Sequence, residues 1–266
     1  MMLISSRDNE LVKLSVALQQ KKIRDEKGLC LLEGVRLVEE ALFSGWKIEE
    51  IFVEERFVST ERFAALIALA TKQNILTYTV TESVMKKMAT TSSPQGVVAV
   101  VRQPSVVLPE KAAGECWLLA DELQDPGNFG TILRSADAAG CDGVLLSGNG
   151  VDPFGPKSVR ASMGSLFHLP IAVNNDRAAV LQWIKTQQMR IFVADAGGRV
   201  SYDEADYGNG CVIVIGNEAR GVAPFWREAA DALISIPIYG KAESLNAAVA
   251  ASLLLYEAAR NRRSSH

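Results

Sequence analysis

The chain is poor in metal ligands. It has two histidines, His168 and His266, and four cysteines at 30, 116, 141 and 211, none in a C-x-x-C pair. A zinc site is therefore not expected. Cys116 and Cys211 lie in or beside apolar, strand-like runs and read as reduced core thiols, which fits a cytosolic setting. Long apolar runs are also missing. The longest, AAVAASLLLY at 247–256, is too short to span a bilayer. The opening MMLISSRDNE lacks a long apolar core, so no signal peptide is expected. Charge of one sign is scarce too: 28 Lys and Arg stand against 31 Asp and Glu, a net charge of −3. That argues against a protein held on nucleic acid by bulk charge alone and leaves room for a local basic patch. No G-x-G-x-x-G opens a helix after a strand, which excludes the usual nicotinamide fingerprint. There is no internal repeat and no low-complexity tract.

What is present is an ordinary globular composition, 48% hydrophobic and 22% charged over 266 residues, enough for one or two domains. Up to residue 102, helical and strand patterns alternate. NELVKLSVALQQKK, VRLVEEALFSG, TERFAALIALATKQ and TESVMKKMA have helical spacing; LCLLEG, IEEIFVE, ILTYTV and GVVAVVRQ read as strands. This predicts a small α/β domain over 1–102. The stretch 103–115 carries two prolines and no clear period and reads as a linker. From 116 to 266 the strands are longer and more continuously apolar: CWLLADEL, DGVLLSG, LPIAV, RIFVAD, CVIVIG and LISIPI, mostly separated by helical patterns. Such runs predict a parallel sheet covered on both faces.

In parallel α/β sheets, ligands collect where strands end and helices begin. Three junctions draw attention. After CWLLADEL comes QDPGNFG, in which Asn128 reads as an N-cap, with Ile132, Leu133, Ala136 and Ala139 at helical spacing. Arg134 starts about 9 Å along that helix, and helical side chains lean back toward the N-terminus, so it can reach the same sheet edge. On spacing alone, a surface arginine beside a capping asparagine explains the pair equally well. After CVIVIG comes NEARGV, where Gly216 permits close backbone approach and Glu218 can accept from a cofactor, from Arg134 or from exposed amides at the next helix start. A solvated glutamate pairing with Arg220 is the plainer reading. After LISIPI comes YGKAESLNAAVAASLLLYEAAR, a very apolar helix that Ser244 can cap, with Leu245 and Asn246 in its first turn. Its apolarity suggests burial, including burial against another subunit.

Together NFGTILRSA, IGNEARGV and IPIYGKAESLNAAVA, in that order over about 130 residues, resemble the three motifs of the SpoU (TrmH-type) RNA ribose 2′-O-methyltransferases of the SPOUT class. GPKSVRASMGSLFHLPI is similar to the segment the family carries between the first two. LLEGVRLVEEAL and TSSPQGVVAVV resemble its N-terminal substrate-binding domain. Ala248 stands where many members have serine. The resemblance implies a SPOUT-type α/β domain with a C-terminal trefoil knot, S-adenosylmethionine as methyl donor, a homodimer as working unit, and RNA as substrate. The two-domain form with TSSPQG points to 23S ribosomal RNA rather than transfer RNA. By motif position, cofactor contacts fall at Gly216, Ile236 and Leu245, with Ala194 beside them. Arg134 falls at the methyl-transfer step. Because guanidinium scarcely deprotonates, it is expected to clamp a phosphate and hold the hydroxyl rather than act as base. Asn128 would fix the substrate or Arg134, while Glu218, Ser244 and Asn246 organise the pocket. DNA and membranes are not expected partners, and a cytoplasmic location is.

Lys157, Arg160 and Ser162 are expected to meet RNA phosphates, with an ordinary helix surface as the alternative. Lys21, Lys22 and Arg24, followed at once by Asp25 and Glu26, read as a solvated face. GVDPFGPKS at 150–158 nearly reproduces a phosphate-binding G-x-x-x-x-G-K-[ST], but Pro156 removes a backbone donor and shifts the lysine by one. A transfer-RNA methyltransferase and a non-catalytic RNA-binding protein of the same fold are the other readings; the intact triplet of motifs argues against the latter.

Overall fold

The computed structural model describes residues 1–112, 116–208 and 210–264; the end of the expected linker and His266 lie outside them. The chain forms two compact units, one of residues 1–104 with 152–167, the other of 105–151 with 168–266.

The first unit runs β1 (Met2–Ile4), α1 (Glu10–Ala17), α2 (Lys21–Lys27), β2 (Leu29–Glu33), α3 (Val35–Ser44), β3 (Ile48–Glu54), α4 (Glu61–Lys72), β4 (Leu76–Val80), α5 (Glu82–Met88) and β5 (Val97–Arg102). Its sheet has the order β1-β4-β3-β5-β2. The pairs β1–β4 and β3–β4 are parallel, whereas β5 runs antiparallel to β3 and β2. The helix expected over 9–22 is instead two. Asn9 caps the first through Leu11 N–H at 2.9 Å. The break is held by Arg24, whose guanidinium donates to the carbonyls of Leu18 at 2.8 Å and Gln19 at 2.9 Å. Arg24 is only 4% exposed and pairs with Asp152. This corrects the solvated-face reading: a buried guanidinium here satisfies carbonyls that a continuous helix would have used.

The second unit opens with β6 (Cys116–Asp121), α6 (Pro126–Ala138) and β7 (Gly143–Ser147). The chain then contributes α7 (Pro156–Ala161) to the first unit, where it packs on β2. It continues in the second with β8 (Ile171–Asn174), α8 (Arg177–Thr186), β9 (Arg190–Ala194), β10 (Val200–Ser201), β11 (Cys211–Ile215), α9 (Pro224–Ala229), β12 (Ala232–Ser235) and α10 (Ala247–Ser264). The sheet order is β10-β12-β9-β11-β6-β7-β8, and every pairing in it is parallel. β6, β7 and β11 are buried at every residue, which is why they read as unbroken apolar runs rather than alternating ones. Trp117, Trp183 and Trp226 anchor the core of one face, with Trp117 and Trp183 edge to face at 5.3 Å. Residues 105–112, in the stretch read as linker, lie on this unit: Trp183 donates to the Pro109 carbonyl at 2.6 Å, and Leu108 and Ala112 pack on the core. All four cysteines are free and buried.

Candidate functional site

Strand order determines where the site sits. β6 starts in the middle of the sheet, and β7 and β8 build outward from it. β9 then begins the other side, and β11 fills the gap between β9 and β6. The chain leaves β6 toward one edge and β11 toward the other, so the carboxyl ends of these neighbours form a switch-point crevice.

The first motif opens that crevice with a cap at Asp125, not at Asn128 as expected. Asp125 Oδ1 accepts Asn128 N–H at 2.7 Å, and Pro126 occupies the first helical position, where its missing N–H costs nothing. Asn128 thus lies in the first turn with its side chain free for other partners. Its Nδ2 donates to Glu218 Oε1 at 3.1 Å, and its Oδ1 accepts from Asn246 Nδ2 at 2.9 Å. The three expected residues Asn128, Glu218 and Asn246, one from each motif, form one relay.

The direction of this relay is dictated at both ends. Asn246, not Ser244, caps α10: its Oδ1 accepts Ala248 N–H at 2.9 Å and Val249 N–H at 3.3 Å. Only Nδ2 is then left to face Asn128. At the other end Glu218 is a pure acceptor. It takes Asp125 N–H at 2.9 Å on Oε1 and Gln124 N–H at 3.1 Å on Oε2. Burial pushes the Glu218 carboxyl up, but the donors from Asn128, Asp125 and Gln124 outweigh it and hold it below the usual range. The amides that Glu218 takes stand ahead of α6, not at the helix that follows Glu218, where they were expected. Arg220 pairs instead with Glu122 at 2.7 Å.

The turn after β11 is fixed from within. Asn217 donates to the Glu122 carbonyl at 3.0 Å and accepts the N–H groups of Ala219 and Arg220, while Asn217 and Gly221 pair as a backbone bridge. A side chain at Gly216 would come within 2.3 Å of the Gly221 carbonyl and Val222 N. Only glycine lets the turn close this tightly. Beneath it lies an ion network that sequence reading missed. Asp121, 1% exposed, takes both a 2.8 Å and a 2.9 Å bond from Arg177, which also reaches Glu122 at 2.7 Å. An acidic pair closing a buried strand, as in LLADE, was the available signal, since buried carboxylates need a cation.

Arg134 lies six residues beyond Asn128 on α6, is exposed, and makes no hydrogen bond or ion pair with a described residue. Below it α6 and α10 are joined by Ser135 and Ser252 hydroxyls at 2.6 Å. Ser244 is exposed ahead of α10. Ala194 ends β9, Gly216 follows β11 and Ile236 follows β12, three adjacent strands ending on one sheet edge. Leu245, 37% exposed, lies on the segment that leads from β12 to α10, as does Ile238 at 36%. Backbone groups at strand ends beside exposed apolar side chains suit a nucleoside-bearing cofactor, which needs a flat apolar slot with a few polar anchors.

The residues expected to meet RNA belong to the first unit. Lys157 and Arg160 are exposed on α7, but Ser162 is fully buried and its hydroxyl is spent on the Val159 carbonyl at 2.7 Å. Ser162 therefore presents nothing to a phosphate, and that expectation is corrected: a serine in the last turn of a helix bonds back to its own backbone.

Residues 115–256 match the SpoU rRNA Methylase family, and residues 9–99 match the MRM3-like substrate binding domain. The chain is 34% identical over 253 residues to the 23S rRNA (guanosine(2553)-2′-O)-methyltransferase RlmP of Bacillus subtilis, covering 95% of this chain and 97% of that one. It is 33% identical to a 23S rRNA (uridine(2479)-2′-O)-methyltransferase of Streptomyces viridochromogenes, covering 97% and 92%. The crystal structure of an AdoMet-bound rRNA methyltransferase from Sinorhizobium meliloti superimposes with a TM-score of 0.86 at 36% identity, covering 97% of each chain.

Proposed function

The chain belongs to the SpoU rRNA methylase family, and from that premise we propose that it transfers a methyl group from S-adenosylmethionine to a ribose 2′-hydroxyl of 23S ribosomal RNA. The observation that carries this is the Asn128–Glu218–Asn246 relay across the switch-point crevice, with the Arg134 guanidinium left unengaged six residues along the same helix. The cofactor would supply a methyl already activated on sulfonium. Gly216, Ile236, Leu245 and Ala194 would hold it at the strand ends. The chain's remaining task is to bring a poorly acidic hydroxyl into line. Arg134 has the free fork to grip the adjacent phosphate and orient that hydroxyl; the phosphate or a water takes the hydroxyl proton as the methyl moves, not Arg134, because a guanidinium keeps its proton. Glu218 and Asn246 act through Asn128, fixing which face of its amide meets the substrate. Ser244 helps to organise the pocket. The 2′-hydroxyl requirement excludes DNA.

In this reading the substrate-binding domain is residues 1–104 with 152–167, and the transfer domain is 105–151 with 168–266. A homodimer and a C-terminal trefoil knot complete it. Val249, Leu253 and Tyr256 support the dimer: they are 47%, 39% and 51% exposed in an apolar stripe along α10, opposite the face that carries the buried Ala251, Leu254 and Leu255. Buried free thiols suit a reducing cytoplasm. The test is Arg134→Ala, which should abolish transfer to unmodified 23S RNA while calorimetry shows unchanged S-adenosylmethionine affinity. Arg134→Lys should stay impaired, since it keeps charge but not the fork. Lost cofactor binding, or a fully active lysine variant, would refute the assignment.

A further inference from the structure

The first unit has a cavity of about 230 Å³ lined by the turn 91–95, the start of α3 and the end of α7. Its lining mixes two cations, Arg36 and Arg160, with polar groups of the turn and two apolar side chains, Leu37 and Met163. We propose that this cavity captures one unpaired RNA nucleotide, with Arg36 and Arg160 on its phosphates, Met163 against its ring and Gln95 on its base edge. The inference rests on the RNA-methylating reading above and adds to it where the substrate is gripped.

Four observations support it. First, the acid in the cavity is already committed. Glu33 accepts Thr90 N–H and Oγ at 2.6 Å each, and also the Thr91 hydroxyl. Its charge thus ties down the turn, and the cations are left for an outside anion. Second, Arg36 is exposed and bonds to no described residue, while Arg160 makes only a long 3.4 Å contact to Thr90 Oγ. Third, Gln95 Oε1 accepts Val35 N–H at 3.3 Å, which leaves its Nε2 with two donors for a base edge. Fourth, Met163 is 44% exposed and adopts φ +52°, a left-handed conformation that a long side chain avoids. Strain of this kind persists where the surroundings impose it, and it collects at ligand sites. A polarizable thioether held open beside two guanidiniums is a stacking platform for an aromatic ring. A paired base is not available to such a concave site; an extruded or loop nucleotide is.

The full chain should be titrated with four probes: an unmodified 23S RNA transcript, a single-stranded RNA decamer, the same decamer in duplex, and AMP. Arg36→Ala and Arg160→Ala should each weaken decamer and transcript binding about tenfold and lower the slope of log K against log salt by about 0.7. Met163→Gly relieves the backbone strain, so it should fold normally and still lose about fivefold on the decamer, with no change in salt slope. The duplex should bind weakly and be insensitive to all three. S-adenosylmethionine affinity should not move. Unchanged decamer binding in the variants, equal losses on decamer and duplex, or AMP binding as tightly as the decamer would each overturn the proposal. If the unaltered chain bound neither S-adenosylmethionine nor the transcript, the functional reading would fall first and the pocket with it.

Discussion

Asn246 does two separable jobs, and two substitutions pull them apart. Its Oδ1 caps α10 through Ala248 and Val249 N–H, and its Nδ2 supplies Asn128. Asn246→Ala removes both. Loss of an N-cap costs about 1 kcal/mol, and a part-exposed neutral hydrogen bond about 0.5–1 kcal/mol, so the total should be about 1.5–2 kcal/mol. Asn246→Asp keeps the cap and adds a favourable charge at a helix N-terminus. It cannot donate, so whichever way the Asn128 amide faces, its oxygen is set against a carboxylate. The stability loss should then be only about 0.5–1 kcal/mol. Urea unfolding followed by tryptophan fluorescence measures this well, because Trp117, Trp183 and Trp226 all lie in the second unit's core. Methyl transfer should fall alike in both variants, since each breaks the relay. Equal destabilisation by Ala and Asp would refute the capping argument; full activity in the Asp variant would refute the relay.

The Glu218 carboxyl is held below its usual range in the fold, so it contributes stability that is present above the unfolded carboxylate pKa of about 4.3 and lost as pH falls through the lowered folded value. Glu218→Gln should therefore cost about 1 kcal/mol at pH 7, discounted for solvent exposure, and thermal denaturation should show the gap to the unaltered chain closing as acid is added; a gap independent of pH would contradict this. Gly216→Ala forces backbone apart at the Gly221 turn, costing about 1–3 kcal/mol. Calorimetry should also show weakened S-adenosylmethionine binding, and normal affinity would mean the turn does not line the cofactor site.

Much of the second unit was legible because its strands are buried on both faces. CWLLAD, GVLLS and CVIVI allow no confusion with an amphipathic helix, and all three are strands within a residue or two of expectation. The convergence of Asn128, Glu218 and Asn246 followed from the rule about strand ends. Which residue caps which helix did not. DPGN offers two capping side chains three positions apart, and the deciding signal was Pro126, which favours the residue before it. ESLN poses the same choice, and tertiary contact with Asn128 settles it. Arg24 was misjudged because local charge says nothing about a partner far along the chain, Asp152 being 128 positions away; Ser162 was misjudged because polarity alone does not tell a hydroxyl that faces solvent from one that bonds back to its own helix. The edge strands β1 and β10 are three and two residues long, too short to show a period.

The first unit is not a continuous piece of chain. Residues 152–167 arrive only after β6, α6 and β7 have been made. During synthesis, then, the amino-terminal half emerges unfinished. Until Asp152 is delivered, the Arg24 guanidinium has carbonyls but no counter-charge, and β2 lacks the helix that covers it. A fragment cut at Pro104 would inherit the same deficit permanently. The order of translation thus lets the first unit close once residue 167 is made, before strands β8 to β12 of the second exist.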